Sequence, residues 1–128
     1  MTPFGRKIRE LRSVRGVTLK EMAASLHVTS AYLSALEHGR RGRPSWRLVQ
    51  SIIGYFNVIW DEAEEIERLA RISHPRIVIE TGGLDPKATE LANLLAEQIA
   101  LLSPAEIERV LKSLPPRRPR SSAKARIS

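Results

Sequence analysis

Cysteine is absent from the 128 residues, aromatic residues make up only 5% of them, and no long apolar run interrupts the sequence. Without cysteine the chain has no disulfide framework, no thiolate metal site and no cysteine nucleophile, which suits a reducing compartment. No segment approaches the roughly 18 consecutive apolar residues of a membrane span. The N-terminus also lacks the apolar core of about 7–15 residues that a signal peptide needs. We therefore expect a cytoplasmic protein that makes no membrane contact.

Residue spacings typical of catalysis or metal binding are missing as well. The three histidines, His27, His38 and His74, form no HExxH motif or other ligand pattern. The stretch GRRG at positions 39–42 is too short for a phosphate-binding loop, and Pro44 follows it instead of a helix-opening Lys-Ser/Thr. We expect no enzyme activity, and hence no catalytic residue, no metal site and no cofactor.

Positive charge is what the sequence has in excess, and it is unevenly distributed. Residues 1–57 hold 10 Lys/Arg against 3 Asp/Glu, residues 58–114 hold 6 against 11, and residues 115–128 hold 5 against none. The two ends therefore carry +7 and +5 and the middle carries −5, for a formal net charge of +7. Basic ends of this kind favour a polyanion as the binding partner.

Apolar residues at helical spacing predict that most of the chain is helical. The first helix shows the pattern clearly, with Phe4, Ile8, Leu11 and Val14 on one stripe. Hydroxyl and carboxylate N-cap residues precede the later helices, and two of these starts have the spacing of a capping box. The predicted helices cover residues 4–15, 18–26, 29–39, 45–56, 61–72, 85–102 and 103–114.

The segment HPRIVIETGG, residues 74–83, breaks the helical pattern. Ile77 and Ile79 alternate with other residues between a proline and two glycines, which is typical of a short strand. A lone strand in a helical chain is not stable. The segment therefore either pairs with a second copy of the chain across a dimer axis or is an extended linker, and the sequence leaves both open.

The run from Gly16 to Gly39, GVTLKEMAASLHVTSAYLSALEHG, predicts two helices joined by a brief turn. It has a glycine followed by a hydroxyl cap, a Met-Ala pair, Leu-x-Val-Thr and Leu-Glu-x-Gly, and the small Ala23 lies where the two helices must cross closely. These features resemble the DNA-binding domain of the lambda-repressor/Cro-like helix-turn-helix family, over about residues 4–57 and loosely over 58–70. The resemblance implies a transcriptional regulator whose partner is double-stranded DNA.

The resemblance also implies roles for individual residues. In this family the second helix of the motif enters the major groove, while the helix before it lies over the phosphate backbone. Tyr32 has an alternative role, in which it only packs beside the first helix. The implied base-reading residues are Ser30, Ala31, Tyr32, Ser34 and Ala35. The implied phosphate contacts are Thr18, Lys20, Thr29, Arg40, Arg41, Arg43 and Arg47.

Two positions depart from the family pattern. Leu19 stands where many relatives keep a glutamine that binds phosphate, and His27 stands where a glycine is usual in a turn that needs a positive φ. The predicted recognition helix also offers no arginine or asparagine for a bidentate base contact. We therefore expect this protein to depend on phosphate contacts, DNA shape and a dimeric site more than on direct base readout.

The loop LEHGRRGRPSW, residues 36–46, joins the predicted recognition helix to the next helix. In the family this loop passes along the DNA backbone, so its arginines are expected to contact phosphates, with Arg47 beside them in the following helix. Ser45 caps that helix, whose positive end adds attraction for an anion. The alternative is a solvated loop whose charge has no partner.

The predicted architecture is all-α. A five-helix helix-turn-helix DNA-binding domain (residues 1–73) is followed by an extended segment or linker (74–84), a helical dimerisation region (85–114) and a disordered basic tail (115–128). Two amphipathic helices alone make a thin core, so the region 85–114 is expected to pack either on a partner or on the first domain. The tail is either an arm that adds phosphate contacts or simply a soluble terminus. The predicted dimerisation residues are Ile77, Ile79, Leu91, Leu95, Ile99 and Leu102.

These observations predict a sequence-specific transcriptional regulator. We expect a repressor that binds a two-fold-related operator as a homodimer and is associated with the nucleoid when it is bound to DNA. The alternative is an antitoxin-like protein whose residues 75–114 bind another protein while its DNA binding serves autoregulation. RNA binding is a third option, which the lack of stacking aromatic residues on a sheet disfavours.

Overall fold

The computed structural model describes residues 1–117, and every regular element in that range is a helix. The prediction of an all-α chain with an N-terminal helix-turn-helix domain is therefore confirmed. The described chain divides into two compact units, Met1–Val78 and the part from Ile79 onward. The α-helices are α1 (Pro3–Arg15), α2 (Leu19–Leu26), α3 (Ser30–Glu37), α4 (Trp46–Phe56), α5 (Asp61–Arg71), α6 (Pro86–Gln98) and α7 (Pro104–Ser113).

Hydroxyl side chains begin three of the helices of the first unit, as the sequence predicts. Thr18 Oγ1 accepts a hydrogen bond from Glu21 N at 3.0 Å, Thr29 Oγ1 accepts from Tyr32 N at 3.0 Å, and Ser45 Oγ accepts from Leu48 N at 3.2 Å. Each bond satisfies one of the backbone N–H groups that a helix leaves without an internal partner in its first turn. These caps fix where α2, α3 and α4 begin.

Residues in the left-handed conformation end three helices of the first unit. Gly16, His27 and Asn57 cap the C-termini of α1, α2 and α4 with φ of 65°, 59° and 54°. His27 thus adopts the positive φ that the turn requires, as predicted for this departure from glycine. Its conformation lets the chain reverse direction within the short turn between α2 and α3.

One hydrophobic core holds the five helices of the first unit together. Seven side chains in it are almost completely buried: Phe4, Ile8, Met22, Leu33, Ile52, Phe56 and Ile66. Val14, predicted to lie on the buried stripe of α1, is instead 84% exposed. The prediction is wrong for Val14 because Leu11 is the last buried residue of α1, and the helical turn that follows Leu11 extends past the core.

Two polar groups are buried within this core, and both join distant parts of the chain. The carboxylate of Glu37 accepts hydrogen bonds from the Arg12 guanidinium, with N–O distances of 3.2 Å. Ser73 Oγ accepts a hydrogen bond from Phe4 N at 2.8 Å and donates one to the carbonyl of Leu69. These bonds connect α1 to α3 and to the residues that follow α5.

Gly5 is where α1 comes closest to α3. A Cβ added to Gly5 would lie 2.2 Å from the carbonyl oxygen of Glu37. The same carbonyl accepts a hydrogen bond from Thr2 N at 3.1 Å. Any side chain at position 5 would therefore push the start of α1 away from the end of α3.

The second unit contains α6, a short 3₁₀ turn (Ile99–Leu101) and α7. The α-helix predicted to reach about residue 102 ends at Gln98, because its last turn tightens into that 3₁₀ form. Asp85 and Ser103 cap the two helices as predicted. No residue of α6, the 3₁₀ turn or α7 is buried.

The extended segment forms no strand within the described range. Residues 77–81 have no regular structure, and a hydrogen bond of 2.8 Å joins the hydroxyls of Thr81 and Thr89. Strand pairing with a second copy of the chain stays a prediction. The predicted basic tail lies almost wholly outside the described residues, which end at residue 117. None of the described helices has the length and apolar character that a membrane crossing requires.

Candidate nucleic-acid interface

Helices α2 and α3 form the helix-turn-helix unit. They pack against each other and are separated by the three residues His27, Val28 and Thr29. Ala23 is 2% exposed, so α3 comes close to the backbone of α2 at that position. Leu33 and Leu36 anchor the inner face of α3 in the core, and the outer face is left at the surface of the domain.

The outer face of α3 carries the predicted base-reading residues, and their exposure differs. Ser30 and Ala31 in the first turn are exposed, whereas Tyr32, Ser34 and Ala35 are half-buried. Among these five residues, Ser30 is therefore the one that is both exposed and able to form a hydrogen bond through its side chain. A major-groove partner would meet mainly this hydroxyl and the methyl group of Ala31.

A shallow groove brings several predicted site residues together. Thr29, Tyr32 and Arg47 line it, together with Ser45 and with apolar residues of α2, α4 and the turn. The N-termini of α3 and α4 both contribute to the groove through their capping residues. The structure thus places the start of α3 beside the start of α4, where the helix dipoles favour an anion.

The arginines of the loop between α3 and α4 are available for an external partner. Arg40, Arg41 and Arg43 are exposed, as is Arg47 in the first turn of α4. Within residues 1–117 none of these four arginines forms a salt bridge. Their charge is therefore not neutralised by an acid of the described chain.

Three of the five basic residues of α1 differ, because they are paired inside the domain. Lys7 bridges Glu62 and Glu65 of α5 at 3.3 and 3.7 Å. Arg12 is paired with the buried Glu37, and Arg15 donates a hydrogen bond to the carbonyl of Phe56 while lying over its ring. These three residues join α1 to α5, to α3 and to α4 respectively.

The loop arginine Arg41 has a specific neighbour on α3. Its guanidinium carbon lies 5.6 Å from the centre of the Tyr32 ring, within the range of a cation–π interaction. Sequence reasoning considered both residues but missed their contact. Nine positions separate them across a helix and a loop, so no local spacing rule predicts it.

The N-terminus of α2 is less favourable for a phosphate than its position implies. Glu21 Oε1 accepts a hydrogen bond from Thr18 N at 3.0 Å, which completes the capping box. Hydrogen bonds from the backbone and hydroxyl of Thr18 lower the pKa of Glu21, so it carries a full negative charge at neutral pH. Lys20 is exposed nearby and offsets this charge. The predicted phosphate contacts of Thr18 and Lys20 stay predictions.

The predicted dimerisation residues lie in a region rich in exposed apolar surface. Ile77, Ile79, Leu91 and Ile99 are between 56% and 67% exposed. Leu95 and Leu102 are half-buried. All six side chains are thus accessible in the single chain, and a partner would remove them from water. Among the described residues no group of three or more acidic or histidine side chains is placed to hold a metal ion.

Comparisons with known proteins agree with this geometry. Residues 3–65 match the family described as a helix-turn-helix domain. The chain is 33% identical over 61 residues to RghRB of Bacillus subtilis, an uncharacterized HTH-type transcriptional regulator, over 48% of this chain and 44% of RghRB. It is 37% identical over 62 residues to DdrOP3 of Deinococcus deserti, an HTH-type transcriptional regulator, over 48% of this chain and 47% of that protein.

The aligned residues span less than half the length of either relative. These similarities support DNA binding and transcription regulation in general terms, and the narrower resemblance to lambda-repressor/Cro-like domains stays a prediction. The range matched by the family, residues 3–65, contains the four helices α1 to α4 and the start of α5, and so includes the whole α2–α3 unit. The N-terminal half of the chain is a helix-turn-helix domain, similar to those of HTH-type transcriptional regulators.

Proposed function

We propose that the protein is a DNA-binding transcriptional regulator that inserts α3 into the major groove and contacts phosphates through the loop that follows. The observation that carries this proposal is the group of four exposed arginines in the loop after α3 and the first turn of α4, of which Arg41 and Arg47 lie beside Tyr32 of α3. The four are Arg40, Arg41, Arg43 and Arg47. No acid of the described chain pairs with them. Phosphates are the partner that such a group attracts most strongly.

Direct base readout by α3 is sparse in this proposal. Ser30 contributes one hydroxyl, which accepts and donates without distinguishing bases strongly, and Ala31 contacts a thymine methyl group. Specificity then comes from the shape and deformability of the DNA and from the arrangement of two half-sites. Ser30→Ala is expected to change affinity at individual base pairs, whereas a uniform loss at every site would contradict the placement of α3.

We further propose that the protein acts as a homodimer and a repressor. The apolar side chains of α6 and α7, none of them buried, supply the surface on which a second copy would pack. A dimer that docks one recognition helix per half-site would place the half-site centres about 34 Å apart, one turn of DNA. A dimer bound to an operator that overlaps a promoter excludes the polymerase from it, so repression there needs no further surface.

Selection of binding sites from random double-stranded DNA with the full-length chain tests the proposal. A palindrome with half-sites separated by one helical turn is the expected result. Arg41→Ala should then weaken binding to all sequences and reduce the slope of log K against log salt by roughly one phosphate's contribution, about 0.9. Arg109→Ala on α7 removes the same charge far along the chain and should leave the slope unchanged.

The exposed surface of α6 and α7 also supports a second function, in which residues 75–114 bind another protein as an antitoxin does. Sedimentation equilibrium of the full-length chain separates the two. A stable dimer that Leu91→Glu converts to monomer supports the regulator. A chain that stays monomeric at concentrations well above those that saturate DNA supports the protein-binding alternative.

A further inference from the structure

Tyr32 lies between the core of the first unit and the arginine loop. Its ring is half-buried and packs against the hydrophobic core. Another side of the ring meets Arg41, whose guanidinium carbon is 5.6 Å from the ring centre. A side chain fixed on one side by the core is a rigid platform for a cation on the other.

The loop is fixed at both ends but not at Arg41. Arg40 N donates to the carbonyl of Ala35 at 2.9 Å, which ties the start of the loop to the end of α3. Pro44 is buried at the other end. Gly42 lies between Arg40 and Pro44, and a Cβ added to it would meet no atom within 4 Å. The Tyr32 ring is thus the structural feature that orients Arg41 within an otherwise open part of the loop.

We propose that Tyr32 is a positioning residue that holds the Arg41 guanidinium beside the first turn of α3, ready to contact DNA, and that its hydroxyl reads no base. This inference rests on the proposed function. An arginine on an open loop loses side-chain freedom when it binds a phosphate. Because the ring restrains Arg41 beforehand, part of that entropy is already lost in the free protein and binding is stronger.

Arg41 differs from the neighbouring loop arginines because its guanidinium lies over an aromatic ring. Arg40 and Arg43 have no aromatic ring within cation–π range in the described part of the chain. We therefore expect Arg41→Ala to weaken DNA binding more than Arg40→Ala or Arg43→Ala does, although each substitution removes one positive charge. This difference comes from orientation, since the three charges are equal.

A double-mutant cycle in DNA binding tests the role of the ring. Tyr32→Phe keeps the ring and loses the hydroxyl, so its affinity should stay within twofold of the wild type. Tyr32→Leu should weaken binding about two- to fivefold, the effect of losing an exposed cation–π contact. The same Tyr32→Leu substitution should have no further effect when Arg41→Ala is already present. Circular dichroism melting confirms that each variant is folded, and Tyr32→Met replaces Tyr32→Leu should the latter unfold.

Nuclear magnetic resonance of the free protein tests the contact without DNA. The ring current of Tyr32 should shift the Arg41 Cδ protons upfield relative to those of Arg40, and Tyr32→Leu should abolish that shift while Tyr32→Phe preserves it. A Tyr32→Phe variant that binds as weakly as Tyr32→Leu would show that the hydroxyl contacts DNA and would overturn the inference. Additive losses in the cycle, or the absence of an upfield shift, would overturn it as well.

Failure of the proposed function gives a different pattern of results. A wild-type chain that binds no DNA would refute DNA recognition, and the positioning role with it, even where the ring-current shift is present. A wild-type chain that binds DNA while its Arg41 protons show no shift would leave the proposed function intact and refute the inference alone.

Discussion

Arg12→Met removes the cation from the most buried ion pair among residues 1–117 while keeping an unbranched side chain of similar length. The Arg12 and Glu37 side chains are 14% and 4% exposed, and three hydrogen bonds of 3.2 Å join them. The substitution therefore leaves the Glu37 carboxylate in the core without its cation. Removing one partner of a buried pair costs about 3–5 kcal/mol.

A loss of that size is a large fraction of the stability of a small domain, which is about 5–15 kcal/mol in total. Arg6→Met is the matched control on the same helix. Arg6 and Glu10 lie 4.0 Å apart with side chains 81% and 64% exposed, and an exposed pair of this kind contributes about 0–0.5 kcal/mol. The expected difference between the two variants is therefore at least about 2.5 kcal/mol.

Urea unfolding followed by circular dichroism at 222 nm measures both variants. Fluorescence is a poor probe, because Trp46 and Trp60 are 74% and 80% exposed in the folded chain. Arg12→Met that costs no more than Arg6→Met would refute the reasoning. The double variant Arg12→Met with Glu37→Met adds a second check: it should recover much of the lost stability, since it leaves no buried charge unpaired.

Three further predictions concern the contacts that hold α1 and α2. Gly5→Ala should destabilise the domain by about 1–3 kcal/mol in urea unfolding, because the added Cβ would overlap the Glu37 carbonyl. Gly54→Ala is the control: its Cβ would lie in open space, so it should stabilise the domain by up to about 1 kcal/mol. Ser73→Ala should cost about 1–3 kcal/mol in the same assay by leaving the buried Phe4 N–H without its acceptor. Hydrogen bonds with Thr18 lower the pKa of Glu21 from 4.5, so the ionised carboxylate stabilises the folded chain above pH 4.5 and this stabilisation is lost as Glu21 is protonated in acid. Glu21→Gln should therefore make the thermal stability less sensitive to acid below about pH 4.5.

Local signals in the sequence predict most of the helices. The caps Thr18, Thr29 and Ser45 act through backbone groups three positions away, so the residues that decide each start are close together in the sequence. His27 is similar, since its positive φ depends on the turn that immediately surrounds it. Helix periodicity likewise identifies Leu33 and Leu36 as the inner face of α3.

Contacts between distant residues have no such signal. Arg12 meets Glu37 across 25 positions, and Phe4 meets Ser73 across 69. In the sequence Glu37 is part of a family-like Leu-Glu-x-Gly pattern, and nothing nearby indicates that its carboxylate is buried. These contacts depend on how α1, α3 and α5 pack, which spacing along a single helix does not determine.

Contacts between distant residues also determine which positive charges of the sequence are already paired in the folded chain. Counted in the sequence, the basic residues of α1 and those of the loop are equivalent, and both support a polyanion partner. In the structure Lys7, Arg12 and Arg15 are occupied by acids, a carbonyl and a ring of the domain itself, whereas Arg41 and its neighbours in the loop meet no acid of the described chain. This difference is why we propose the loop after α3, and not the paired residues of α1, as the phosphate contact. The sequence predicts how much positive charge there is, but internal pairing determines which part of it is left for an external partner.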